Sequence, residues 1–134
     1  TATLGGKVAL VGYEAEPAAV RPGEELRVTL FWRALTALEE DYTVFVHFVD
    51  AGGAGEIYAQ QDNPPARGGR PTSTWAGDEI VEDRYVLRVP VDIPPGDYRV
   101  EIGMYDLQTM ERLSVDGTGA DRFVLPLTFT AEGP

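Results

Sequence analysis

The chain has 134 residues, no cysteine, and 22 acidic against 11 basic side chains, for a net charge of −11. Those figures exclude a disulfide framework, a thiolate metal centre and a cysteine nucleophile, and they argue against nucleic acid or an anionic membrane as the main partner. With 43% hydrophobic and 25% charged residues the composition is that of a globular chain, and no apolar run approaches the ~20 residues of a membrane span. No signal-peptide pattern opens it, and the missing initiator Met fits an excised or processed piece. Ten Arg against one Lys, one Asn and three Gln, with ten Pro, fit a thermophilic source, although a GC-rich genome gives the same bias.

Period-two alternation dominates, and helical periodicity is absent. Residues 7–14 read as a first strand, ended by Pro17 and the Arg21-Pro22-Gly23 turn. In 25–34, Leu26, Val28, Leu30 and Trp32 share one face. Residues 35–40 have room for one helical turn. Residues 42–49 are almost continuously apolar, as for a strand covered on both faces. A glycine-rich turn at 51–55 leads to a hairpin partner at 56–61, where a simple hairpin sets Tyr58 opposite His47. Residues 62–77 have no periodicity, so this long loop is functional or strapped down by its own side chains.

A short edge piece is expected at 79–83. Strands follow at 84–91, with Tyr85, Leu87 and Val89 inward, and at 98–105, with Tyr98, Val100, Ile102 and Met104 inward. Short strands at 111–115 and 122–130 complete the pattern, and Pro126 marks an edge or a bulge in the latter. Seven to nine such strands predict an all-β chain: a single antiparallel β-sandwich domain over 1–134. A closed barrel is the alternative.

Two features resemble fibronectin type III and immunoglobulin-like sandwiches: Trp32 at the end of LRVTLFW, and the turn before Tyr98 in IPPGDYRV. In such folds that Tyr makes a tyrosine corner, its hydroxyl bonding backbone a few residues upstream. Over roughly 8–130, the runs PGEELRVTLFWRA, DYTVFVHFVD, QQDNPP, PTSTWAGDEIVEDRY, PPGDYRVEIGMYD and ERL resemble a C-terminal β-domain of bacterial multi-pass, glycosyltransferase-like membrane proteins. That resemblance implies an extracytoplasmic accessory domain near carbohydrate chemistry. It carries no site residue.

His47 is the only histidine, Ser73 and Ser114 are the only serines, and no G-x-S-x-G elbow exists. His47 therefore reads as a half-buried strand residue rather than a triad base. Calcium needs only oxygens, so Asp62, Asp78 and Asp83 are weak candidates beside the long loop. With Glu79 and Glu82 they read more simply as a solvated acidic rim, or as turn carboxylates that accept backbone N–H groups and pair with Arg67, Arg70 or Arg84. A glycosidase needs two carboxylates ~5–9 Å apart, and nothing singles out a pair. The expectation is thus a non-enzyme with no cofactor.

Trp75 is the leading ligand-binding candidate, because an indole face with polar neighbours suits a sugar ring. Tyr58, Asp62, Asp78, Tyr105 and Arg112 are its candidate companions. The competing expectation is that Trp75 folds down and plugs the loop onto the sandwich. The function expected is a non-catalytic accessory module that binds a glycan or a neighbouring protein surface. The alternatives are a structural domain packed on its parent membrane protein and, less well supported, a hydrolase.

Overall fold

A computed structural model describes residues 2–53 and 55–132. Ten strands run in chain order: β1 Ala2–Leu4, β2 Val8–Glu16, β3 Ala19–Val20, β4 Glu25–Ala34, β5 Tyr42–Asp50, β6 Ile57–Asn63, β7 Val81–Arg88, β8 Gly96–Asp106, β9 Phe123–Val124 and β10 Phe129–Ala131. They form two sheets. The first has the order β1-β2-β4-β7; the second has the order β3-β10-β8-β5-β6, with β9 paired to β8. The all-β sandwich expected from the alternation is the observed fold. Its pairings are antiparallel except for β10 against β3, which is parallel.

Alternation explains which side chains meet between the sheets. Leu26, Val28, Leu30 and Trp32 of β4, Leu87 and Tyr85 of β7, and Val44, Val46 and Phe48 of β5 are all 1% exposed or less. Tyr98, Val100, Ile102 and Met104 of β8 close the same core. The tyrosine corner is present: the Tyr98 hydroxyl donates to the Pro94 carbonyl at 2.6 Å. The Tyr98 ring stacks on Phe48, with centroids 4.9 Å apart. The turn after β3 is of type II, because Pro22 presets φ and Gly23 takes φ +80, while the Glu24 N–H donates to the Arg21 carbonyl at 3.0 Å.

Several expectations change. The pieces at 79–83 and 84–91 are one strand, β7, paired along its length with β4. Residues 35–40 form no helix. Residues 111–115 make only isolated bridges, Tyr105 to Arg112 and Leu4 to Val115. The 122–130 segment splits into β9 and β10 around Pro126, whose ring removes the N–H a continuous ladder needs. β10 lies between β3 and β8, so it is not a sheet edge. Gln60, not Tyr58, lies opposite His47: the hairpin register differs from the simple one, and a one-residue shift between Phe48 and Val49 adds to it.

Candidate functional site

Tyr42, Val44, Val46 and Phe48 of β5 fill the core, and its odd-numbered residues form the outer face of the second sheet. Register fixes the pairs on that face: Thr43 with Tyr105, Phe45 with Gly103, His47 with Glu101 and Val49 with Arg99. Phe45 is 1% exposed although it points away from the core. Arg112 supplies its cover, with the guanidinium 4.2 Å from the ring centroid. Tyr105 and His47 flank it, with centroids at 6.3 and 4.9 Å.

Asp62 arrives from β6. Its Oδ2 accepts from the Tyr105 hydroxyl at 3.1 Å, and its Oδ1 lies 3.5 Å from His47 Nε2. Burial pushes the His47 pKa below its ordinary value; Arg112 acts in the same direction and Asp62 opposes them. Burial also pushes the Tyr105 phenol up, reinforced by its bond to Asp62. Beyond His47 the face opens into a shallow depression of ≈ 370 Å³, lined by Ile57, Arg99, Glu101, Arg112 and Arg122. Glu101 is buried and holds two of those arginines: Oε2 accepts from Arg99 Nε at 3.1 Å and lies 3.0 Å from its Nη2, and Oε1 forms an ion pair with Arg122 Nε at 3.2 Å.

Three of the six candidate ligand-binding residues therefore come together: Asp62, Tyr105 and Arg112. The other three are elsewhere. Tyr58 turns toward the core edge, its ring 5.4 Å from Tyr98 and its hydroxyl donating to Glu56 at 3.0 Å. Asp78 is exposed in the turn before β7. Trp75 is 7% exposed, and its Nε1 donates to the Arg70 carbonyl at 2.9 Å. The indole thus closes the core beneath the long loop, as the competing expectation has it. Arg70 pairs with Glu79, which is held below the usual carboxylate range by that contact and by the Ala76 N–H. Thr72 ties the same loop to the start of β5: Oγ1 accepts from the Tyr42 N–H and donates to the Glu40 carbonyl.

The weak calcium candidates occupy three settings, and among the described residues no group of three or more His, Asp or Glu is arranged to hold a metal. Asp83 corrects the acidic-rim expectation outright. It is an inward position of β7, fully buried, not a solvated rim residue. Its Oδ2 accepts from Trp32 Nε1 at 3.1 Å and from the Tyr85 hydroxyl at 2.7 Å, and its Oδ1 from the Ala66 N–H at 2.8 Å. Burial raises its pKa against the pull of those three donors. Glu79 and Glu82 do behave as rim residues, paired with Arg70 and Arg84.

No protein-family model and no curated protein sequence matches this chain. Its fold is that of known β-sandwich domains. The C-terminal domain of Wzt superposes with a TM-score of 0.67 at 11% identity, covering 100% of this chain and 77% of that one. That agrees with the expectation of a β-sandwich domain. The alkylpurine DNA glycosylase AlkC of Pseudomonas fluorescens, bound to DNA with an abasic site analog, matches at 0.55 and 13% identity, over 95% of this chain and 31% of that chain. A Niemann-Pick type C2 protein from Japanese carpenter ant matches at 0.54 and 7%, over 98% and 96%. At these identities the likeness is one of fold. Because one of these chains is a DNA glycosylase, the fold alone does not separate enzyme from non-enzyme. Among the described residues, no helix is long and apolar enough to cross a membrane.

Sequence reasoning missed Phe45, Arg99, Glu101 and Arg122. The signal was there: 42–49 reads as covered on both faces, so its second face needs a cover. The cover comes from Arg112, over the Phe45 ring, and from Arg122, paired with Glu101.

Proposed function

We propose that residues 1–134 form one non-catalytic accessory domain, extracytoplasmic, which binds a glycan on the outer face of its second sheet. One observation carries this reading. Asp62, Tyr105, His47 and Arg112 converge around Phe45 at the margin of an open polar depression. Rigid strands hold polar groups there in fixed positions, as small-ligand sites require. The face also supports a non-catalytic reading. The His47 imidazole contacts Asp62, and neither of the two serines, 73 and 114, lines the depression beside it. A triad lacks its nucleophile.

A glycan-array screen of the chain, repeated with Asp62→Ala and Tyr105→Phe, tests the proposal. Selective binding weakened in both variants, with circular dichroism unchanged, supports it. Binding unaffected by either variant, or no binding at all, overturns it. The second reading is a structural domain packed on the parent membrane protein. The buried Trp75 favours it, because a loop that plugs a core needs no ligand. It predicts an array without hits.

A further inference from the structure

Three of the ten arginines of a strongly acidic chain, Arg99, Arg112 and Arg122, line this one depression. Random placement on a surface of net charge −11 does not favour that concentration. The buried carboxylate of Glu101 organises it. Arg99 Nε donates to Glu101 Oε2 at 3.1 Å with Nη2 3.0 Å away, and Arg122 Nε pairs ionically with Oε1 at 3.2 Å. Both Glu101 oxygens are thereby occupied. At the rim, Asp121 Oδ1 lies 3.5 Å from Arg112 Nη1 and 3.4 Å from Arg122 Nη1.

A guanidinium carries five N–H donors in a fixed fork. Each of the three therefore keeps donors in reserve, while the acceptor beneath them is spent. Among the charged residues that line the depression, three are cationic and one, Glu101, is anionic. The lining is rich in donors and poor in acceptors. A neutral sugar hydroxyl both donates and accepts, and it gains little from such a surface. An oxyanion only accepts, and a planar fork meets it with two parallel bonds.

We infer that this arginine-lined depression binds the oxyanion of an acidic sugar, a carboxylate or a phosphate ester carried on a glycan. The inference rests on the reading of this face as a glycan surface and names the class of glycan. The Arg112 plane, seated on Phe45, supplies one wall, and Ile57 supplies an apolar rim for the C–H face of the ring.

Titration calorimetry and ¹H–¹⁵N spectra of the whole chain test it with matched probes: trigalacturonate against neutral galactotriose, mannose 6-phosphate against mannose, and inorganic phosphate alone. At least one acidic sugar is expected to bind at least about tenfold more tightly than its neutral counterpart, with shifts at the arginine Nε–H signals and an affinity that falls with added salt. Which probe binds separates carboxylate from phosphate. Arg122→Gln is expected to weaken binding at least about tenfold. Arg27→Gln, on the other sheet, is expected to leave it unchanged. Glu101 keeps Arg99 as a partner in the Arg122 variant, and unchanged amide spectra away from the depression check that the fold is kept.

Equal binding of neutral and acidic sugars overturns this inference and leaves the glycan reading standing. Inorganic phosphate binding as tightly as mannose 6-phosphate overturns it as well, because the sugar then contributes nothing. Binding of no probe on titration, with neutral glycans bound on the array, overturns the inference alone. No binding in either experiment removes both.

Discussion

The Phe45 ring occupies the space that a side chain at Gly103 would need. A Cβ at 103 would lie 2.5 Å from Cε2 and Cζ of that ring. Phe45 and Gly103 are register partners on β5 and β8, so the glycine is what lets the ring lie across the neighbouring strand. Arg112 then seats itself on the ring. Gly103→Ala is expected to displace the ring and cost about 1–3 kcal/mol, the usual range for overpacking. Urea denaturation measures the loss. The Arg112 Nε–H signal moves in the same variant, and an unperturbed signal with unchanged stability would refute the stack.

Asp83 is the polar centre of the core. It satisfies Trp32 and Tyr85, and it also holds the backbone of Ala66, where Ala66 and Arg67 both adopt left-handed φ, at 54° and 56°. Non-glycine residues in that region carry strain that surrounding contacts must hold. Asp83→Ala leaves three donors without an acceptor and is expected to cost roughly 3 kcal/mol or more. Tyr85→Phe removes one donor and is expected to cost about 1 kcal/mol. Thermal or urea unfolding orders the two variants. Amide exchange at Ala66 should speed up in Asp83→Ala and remain slow in Tyr85→Phe.

Acidity acts on two groups with opposite signs. The folded pKa of His47 lies below its ordinary value of 6.5, so the neutral ring is the one the fold prefers. Its contribution is present above 6.5 and is lost as pH falls through the lowered folded value. Asp83 has a folded pKa above 3.8, so its contribution is complete below 3.8 and is lost as pH rises through the raised value. Melting temperature against pH should therefore fall less steeply on mild acidification in His47→Gln than in the parent. An identical slope would show that His47 does not titrate against folding.

Most of the core was legible, because alternation assigns inward positions with no knowledge of pairing. Leu26, Val28, Leu30 and Trp32, and Tyr98, Val100, Ile102 and Met104, are all buried at the inward positions it assigns. Asp83 escaped because the strand was cut at 83. Continuing the alternation of Tyr85 and Leu87 back by two residues places Asp83 inward. The outer face was less legible, since its cover comes from Arg112 and Arg122, distant from Phe45 in sequence and outside regular strand pairing. Register adds to this: the longer turn already sets Ala59 toward His47, and the one-residue bulge between Phe48 and Val49 then brings Gln60 opposite it.

Trp75 makes the sharpest distinction between a loop that binds and a loop that plugs. Its indole is buried among core residues and bonded to the Arg70 carbonyl. Trp75→Ala is expected to cost about 3–5 kcal/mol, as for truncation of a buried aromatic. Trp75→Phe keeps most of the ring, loses one hydrogen bond and should cost about 1–2 kcal/mol. Neither should change glycan binding wherever the variant remains folded, because Asp62, Tyr105 and Arg112 belong to the outer face of the second sheet. Calorimetry on Trp75→Phe decides the matter. Weakened binding with an unchanged melting temperature would return the indole to the ligand site, and a lower melting temperature with unchanged affinity makes it the loop's anchor.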